Sequence, residues 1–114
     1  MCDIVFSVSP KILPFSFGDR PLNEGQLITV PCAVIEGDSP ISLTWLFNGR
    51  SISPHMRVTV VPLGERNMIL SVGSVQAIHA GQYTCAAQND AGTYEFIANM
   101  TVNGKKVLST VYVV

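Results

Sequence analysis

Three cysteines and two histidines are the residues of this chain that could support metal, redox or nucleophilic chemistry. A structural zinc site needs a closed set of ligands, which Cys32, Cys85 and His79 do not form by themselves. Ser53 lies near His55 in the sequence, but a catalytic triad also needs a group that orients the histidine, and none is evident. We therefore expect surface or corner histidines, no metal site and no enzyme.

Length and charge exclude several further classes of function. The 114 residues suit a single domain, and seven basic against eight acidic residues give a net charge of −1. Nucleic acids and anionic membranes require clustered positive charge, which is absent here. Glycine-rich phosphate-binding patterns are absent too, so we expect no nucleic-acid partner, no small-molecule substrate and no cofactor. Apolar residues make up 47% of the chain, so part of the apolar surface is expected to serve a protein partner.

The sequence contains no predicted membrane span, because no apolar run reaches eighteen residues. Its first six residues lack the basic start and long apolar stretch of a signal peptide. If the protein is secreted, we expect its signal peptide, and any membrane span, to lie outside this sequence.

Short β-prone stretches separated by Gly, Pro, Asn and Asp predict an all-β fold. Residues 9–17 are interrupted by Pro10 and Pro14, and because proline lacks the donor that a central strand needs, we expect edge strands A and A′ there. We predict the other strands at residues 27–34 (B), 41–47 (C), 50–53 (a short C′), 57–61 (D), 67–72 (E) and 82–88 (F), with strand G after a turn at 89–92.

One face of strands B, D and E is predicted to be exposed and weakly polar. Side chains alternate along a strand, and Cys32 is expected to face the core. The opposite face suits an interface core, although β-branched residues are also common on any strand surface. Leu27 and Ile69 are expected to be neighbours on it, because strands B and E pair. Its residues are Leu27, Thr29, Pro31, Arg57, Thr59, Val61, Asn67, Ile69 and Ser71.

The spacing of Cys32, Trp45 and Tyr83-Thr84-Cys85 resembles that of an immunoglobulin sandwich. Further motifs make the chain similar to I-set immunoglobulin domains over residues 9–103, namely Leu70-x-Val72, Gly81-x-Tyr83 and Asn89-x-x-Gly92. The resemblance implies two sheets, A-B-E-D against A′-G-F-C, with one inter-sheet disulfide, Cys32–Cys85. Such a disulfide indicates an extracellular location.

This assignment leaves the two ends of the chain outside the domain. Residues 1–8 are expected to be an N-terminal extension, and residues 104–114 a C-terminal extension or the start of a linker. Cys2 is then an unpaired terminal thiol, with an intermolecular bridge as the alternative.

A closer resemblance concerns the Down syndrome cell adhesion molecules (Dscam). His79 stands where most I-set domains carry an aspartate that pairs with an arginine near strand D, and the Dscam pattern tends to have histidine there. The segments that resemble the seventh immunoglobulin domain of arthropod Dscam, and the first domain of shortened chelicerate Dscam, are Pro14-Phe15-Ser16-Phe17-Gly18, Pro21-Leu22-Asn23-Glu24-Gly25, Cys32-Ala33-Val34, Gly37-Asp38-Ser39-Pro40-Ile41 and Ser74-Val75-Gln76-Ala77.

This resemblance implies isoform-specific homophilic binding between apposed cells, through antiparallel pairing of two A-B-E-D sheets. The expected partner is an identical copy of the chain. In such a dimer Ile69 is expected near the two-fold axis. Arg57, which lacks the usual aspartate, is expected to meet an acid or a carbonyl group of the other copy, and Glu65 or Glu24 could supply it.

Asn99-Met100-Thr101 is a glycosylation sequon on the face of strand G that points away from the core. A glycan at Asn99 would obstruct the C-F-G face. Two alternatives to homophilic adhesion stay open: heterophilic, immune-type binding through loops or the C-F-G face, and a structural spacer in a multi-domain ectodomain.

Overall fold

The computed structural model describes residues 7–103. The predictions that concern Cys2, residues 1–6 and residues 104–114 lie outside the described residues. No helix in the described part of the chain is both long and apolar enough to cross a membrane.

Ten β-strands and two single-turn 3-10 helices make up this region. The strands are β1 (Lys11–Ile12), β2 (Leu22–Asn23), β3 (Ile28–Glu36), β4 (Ser42–Phe47), β5 (Arg50–Ser51), β6 (Val58–Pro62), β7 (Asn67–Val72), β8 (Gly81–Asn89), β9 (Gly92–Met100) and β10 (Val102–Asn103). The 3-10 helices are Pro54–Met56 and Ala77–His79.

Two antiparallel four-stranded sheets form a sandwich. One sheet has the order β1-β3-β7-β6, which is the predicted A-B-E-D sheet, and the other has the order β5-β4-β8-β9, which corresponds to C′-C-F-G. β2 and β10 form a separate parallel pair. The all-β immunoglobulin sandwich predicted from the sequence is therefore confirmed.

The core lies between the sheets and is built on the predicted disulfide. Cys32 and Cys85 are bonded and fully buried, on β3 and β8 respectively. Trp45 is also buried, and its indole Nε1–H donates to the carbonyl oxygen of Met68 on the opposite sheet at 2.9 Å. The only polar atom of the buried indole therefore has a hydrogen-bond acceptor.

The predicted position of strand A′ is wrong. After β1, Pro14 cannot donate to a neighbouring strand, and the chain turns Phe15 and Phe17 toward the core instead of continuing along the sheet. Phe15 packs edge-on against Trp45 with ring centroids 5.0 Å apart. β2 instead pairs with β10, the short strand that follows β9, and Leu22 of β2 is aligned with Val102 of β10.

Smaller differences have local causes. Strand D begins at Val58 and not at Arg57, because Arg57 adopts the left-handed conformation with φ 58°. Strand B extends to Glu36 through a bulge that inserts Ile35 opposite β1. Strand E has the predicted bounds, Asn67–Val72.

Candidate recognition surface

The outward side of the β1-β3-β7-β6 sheet, called the A-B-E-D face from here on, carries the predicted interface residues. Its centre is a row of three aligned apolar residues, Pro31 on β3, Ile69 on β7 and Val61 on β6. Pro31 and Val61 are exposed and Ile69 is half-buried between them. Cross-strand neighbours of this kind interact directly, so the three form one continuous apolar strip, called the central row.

A row of hydroxyl groups lies beside the central row. Thr29, Ser71 and Thr59 are aligned across β3, β7 and β6, and the hydroxyls of Thr29 and Ser71 are 3.0 Å apart. On the other side, Asn67 is aligned with Ala33. None of these side chains carries a charge, which is the composition found at the centre of protein interfaces.

Leu27 does not neighbour Ile69, in contrast to the expectation. The register places Pro31 opposite Ile69, and Leu27 lies four residues before Pro31. Leu27 is therefore at one end of the A-B-E-D face, where its side chain is 63% exposed.

Sequence reasoning missed three exposed apolar residues on this sheet and its turns. Leu13 follows β1, Ile35 is the bulge residue of β3, and Leu63 follows β6; their exposures are 50%, 56% and 59%. Ile35 and Leu63 lie outside the predicted strands: strand B was predicted to end at Val34, whereas β3 continues to Glu36, and Leu13 and Leu63 directly follow β1 and β6. With Leu27 and Val61, five of the eight exposed large apolar side chains of the described region belong to this sheet, against one, Ile97, on the outer side of the other.

Arg57 lies at the end of the A-B-E-D face that also holds Leu27. It caps the first 3-10 helix and lines a cleft of about 450 Å³ together with His55, Ser74 and Gln76. Its side chain is exposed, and among residues 7–103 the structure shows no hydrogen bond or ion pair to its guanidinium group. The guanidinium group of Arg57 is thus exposed to solvent, and its role in binding stays a prediction.

Glu65 lies at the opposite end, in the turn between β6 and β7. Its carboxylate accepts a hydrogen bond from the hydroxyl of Ser39, and a backbone hydrogen bond from Ile41 and the charge of Arg66 act on it as well. These three contacts, the first most strongly, lower the pKa of Glu65. These contacts favour the ionised form of the carboxylate, and Glu65 is an exposed residue.

His79 is a buried corner residue that joins two loops. Its Nδ1 accepts the backbone N–H of Gln76 at 2.8 Å, which places the proton on Nε2, 2.6 Å from the carbonyl oxygen of Met56. Met56 directly precedes Arg57, so the imidazole fixes the backbone that presents the arginine. The prediction of a corner histidine is confirmed for His79.

Tyr83 completes the same corner. Its hydroxyl donates to the carbonyl oxygen of His79 at 2.7 Å, and burial raises the pKa of Tyr83 to about 12. Because the folded-state pKa lies above the ordinary value of about 10, the stability linked to this proton is present below pH ~10 and is lost toward pH ~12.

The residues considered for catalysis and metal binding have structural roles. The hydroxyl of Ser53 accepts the backbone N–H of His55 and thereby caps the first 3-10 helix, away from the imidazole ring. The sulfur atoms of Cys32 and Cys85 are bonded to each other in the disulfide, so they are not free thiols. Within residues 7–103, no group of three His, Cys, Asp or Glu side chains could hold a metal ion.

Asn99 lies on the outer side of β9, opposite Gln82 of β8, and its side chain is exposed. Thr101, the third residue of the sequon, is exposed as well. The sequon is therefore accessible on the sheet opposite the A-B-E-D face.

Comparison with known proteins identifies relatives of the whole described domain. The family model for the immunoglobulin domain matches residues 9–89. Cell adhesion molecule Dscam1 of Drosophila melanogaster is 36% identical over 102 residues, which are 89% of this chain and 5% of Dscam1. The chain thus spans only a small part of the curated relatives it matches.

Solved structures agree with this similarity. The crystal structure of the Dscam1 Ig7 domain, isoform 5, superimposes with a TM-score of 0.82 at 37% identity, covering 86% of this chain and 100% of that domain. The N-terminal eight Ig domains of DSCAM isoform 1.30.30 give a TM-score of 0.78 at 38% identity, covering 84% of this chain and 12% of that structure.

Proposed function

The chain belongs to the immunoglobulin domain family, and we propose that it is an extracellular recognition domain of a cell adhesion receptor. It binds an identical copy of itself on an apposed cell through the A-B-E-D face. The expected complex is an antiparallel homodimer, and the membrane is reached only through the rest of the receptor. The Cys32–Cys85 disulfide suits an oxidising extracellular setting.

The observation that carries this proposal is the uncharged apolar central row with the hydroxyl row beside it. A two-fold axis that lies along Pro31, Ile69 and Val61, in the plane between two facing sheets, maps each of these residues onto its own copy. The same axis places the hydroxyl row of one copy over Ala33 and Asn67 of the other. Apolar side chains thus meet apolar side chains at the centre, and no charge is buried there.

The exposed sequon at Asn99 supports the choice of face. We propose that Asn99 is glycosylated, since both Asn99 and Thr101 are exposed. The carbohydrate would cover the outer side of β8 and β9 and leave the A-B-E-D face clear.

Heterophilic binding through the C-F-G face is the second candidate. Ile97 is 48% exposed on β9 and is aligned with Thr84 of β8, so that face also offers an apolar side chain to a partner. The two candidates differ in which of the isoleucines, Ile69 or Ile97, contributes to association.

Sedimentation equilibrium over a wide concentration range tests the proposal, with Cys2→Ser as the common background. We expect a concentration-dependent dimer whose affinity falls by at least about 30-fold in Ile69→Asp, because two carboxylates would be buried face to face. Ile97→Asp is the matched control and should leave the dimer unchanged. Circular dichroism would verify that both variants fold.

A monomer at every concentration would refute homophilic binding and leave the heterophilic receptor or the structural spacer. A loss of affinity in Ile97→Asp that is absent in Ile69→Asp would place the contact outside the A-B-E-D face.

A further inference from the structure

An uncharged row of side chains crosses the outer side of the β5-β4-β8-β9 sheet. It is called the outer row and consists of Ser51, Leu46, Thr84 and Ile97, which are aligned across the four strands in that order. Leu46 is half-buried, and Ile97 is 48% exposed. Nearly half of a large aliphatic side chain at the β9 end of the row is therefore in contact with water.

Thr84 shows how closely the side chains of the outer row pack. Tyr83 and Cys85 are buried in the core, so the alternation of β8 places Thr84 on the outer side, yet Thr84 is only 4% exposed. Its aligned neighbours on the flanking strands, Leu46 and Ile97, cover it. The outer row is thus one continuous ridge of aliphatic surface and not a set of isolated side chains.

Asn99, the acceptor residue of the sequon, lies beside this ridge. It is on the same side of β9 as Ile97 and follows it by two residues, which is about 7 Å along a strand. Its direct partner on β8 is Gln82, so Thr84 is its diagonal neighbour. A sugar joined to the Asn99 amide therefore starts next to the outer row, and the covalent bond gives it a high effective concentration there.

We propose that the first N-acetylglucosamine of a glycan on Asn99 packs on the Ile97 end of the outer row and thereby stabilises the fold. This inference rests on the proposed glycosylation of Asn99. The sugar ring carries C–H groups and its acetamido group carries a methyl group, so contact with Ile97 removes apolar surface from water on both sides. Because the sugar is tethered, a contact too weak to bind the free sugar is sufficient.

The contact would also give the C-F-G face an intramolecular partner. Ile97 is the exposed apolar side chain that this face offers to a heterophilic partner, and the sugar would cover it. One modification would then have two effects: it stabilises the folded domain, and it closes an apolar patch to other proteins.

A cleft on the other side of Asn99 is the competing place for the sugar. It has a volume of about 620 Å³, and Asn48, Gln82, Thr101 and Asn99 itself are among the residues that line it. Hydrogen bonds between the sugar and amide groups in the cleft would replace hydrogen bonds to water, with a small net gain. Contact with Ile97 needs no such exchange, which favours the outer row.

Urea unfolding of the domain secreted from insect cells tests the proposal, on the Cys2→Ser background and with tryptophan fluorescence as the readout. Thr101→Val is the unglycosylated reference because it destroys the sequon and keeps Asn99. We expect glycosylation to lower the unfolding equilibrium constant by about fivefold or more. In Ile97→Thr, which keeps a β-branched residue, glycosylation should change this constant by less than about twofold.

Val61→Thr is the matched control, since Val61 is similarly exposed, at 44%, on the other sheet. It should keep the full effect of glycosylation. Trimming a high-mannose form with an endoglycosidase that leaves only the first sugar should keep the effect as well, because the contact is assigned to that sugar alone.

The outcomes separate the contact from the glycosylation on which it rests. A glycosylated domain no more stable than Thr101→Val, or a stabilisation that survives Ile97→Thr or is lost on trimming, would overturn the contact and keep Asn99 as a glycosylation site. A stabilisation lost in Gln82→Ala and kept in Ile97→Thr would place the sugar in the cleft and overturn the contact as well. A secreted wild type of unmodified mass would overturn both. None of these measurements depends on homophilic binding.

Discussion

At the scale of single residues, His79 occupies the position of the usual partner of Arg57 and bonds backbone groups instead. In the usual I-set pattern an aspartate at this position pairs with an arginine near strand D. Here a buried imidazole bonds the backbone of Gln76 and Met56 instead, and makes no contact that would neutralise the guanidinium group. Histidine in place of aspartate thus still joins the two loops at this corner, and the charged group of Arg57 stays exposed at the surface.

Replacing His79 by alanine is expected to destabilise the domain by about 2 to 4 kcal/mol. The change leaves the N–H of Gln76 and the carbonyl of Met56 without their side-chain partner and creates a cavity. Urea unfolding followed by tryptophan fluorescence measures the difference. His55→Ala, at an exposed position, should stay within about 0.5 kcal/mol of wild type. Equal effects of the two variants would contradict this role for His79.

At the scale of elements, the two strands flanking β7 form the candidate recognition surface together with it. β3 and β6 both pair with β7, so a single row crosses three strands at Ile69. The bulge at Ile35 ends the regular part of β3 and exposes an additional apolar side chain there. On the opposite sheet, β9 is an edge strand whose outer side carries Asn99.

Secretion of the domain from insect cells, behind an added signal sequence, is expected to yield a glycan on Asn99. Intact mass spectrometry before and after treatment with an N-glycosidase would detect it. Asn99→Gln and Thr101→Val should both carry the unmodified mass, because each destroys the sequon. Removing the glycan should change the homodimer affinity by less than about twofold, since the A-B-E-D face lies on the other sheet. An unmodified secreted wild type would refute glycosylation at this position.

At the scale of the whole molecule, one covalent bond joins the two sheets through their central strands. The Cys32–Cys85 disulfide closes a loop with a sequence separation of 53 residues. Loop-closure entropy assigns such a bond a stabilisation of about 4 kcal/mol. That is a large part of the ~5–15 kcal/mol that holds a domain of this size folded.

Reduction of the disulfide is expected to lower the free energy of unfolding by about 4 kcal/mol. Guanidinium unfolding with and without a reducing agent, on the Cys2→Ser background, measures the loss. Mass spectrometry after alkylation confirms that both thiols are free. An unchanged unfolding midpoint in the fully reduced protein would show that core packing alone supports the sandwich.

Much of the architecture follows from local patterns in the sequence. Alternation and turn residues located seven strands of the sandwich, B to G and the short C′, most within one or two residues, and the spacing of Cys32, Trp45 and Cys85 identified the fold and the disulfide. The predicted outward residues Thr29, Pro31, Thr59 and Val61 of strands B and D are exposed, as a period of two predicts, whereas Asn67, Ile69 and Ser71 of strand E are half-buried.

Only the tertiary structure decided how these residues are arranged relative to one another. The register aligned Pro31, not Leu27, with Ile69, the bulge at Ile35 carried strand B on to Glu36, and the left-handed Arg57 delayed the start of strand D to Val58. Strand A′ was misplaced because its partner, β10, is about eighty residues away in the chain. A sequence pattern records the preference of each residue for a face or a turn, whereas register, bulges and distant pairings depend on contacts between segments that no local pattern contains.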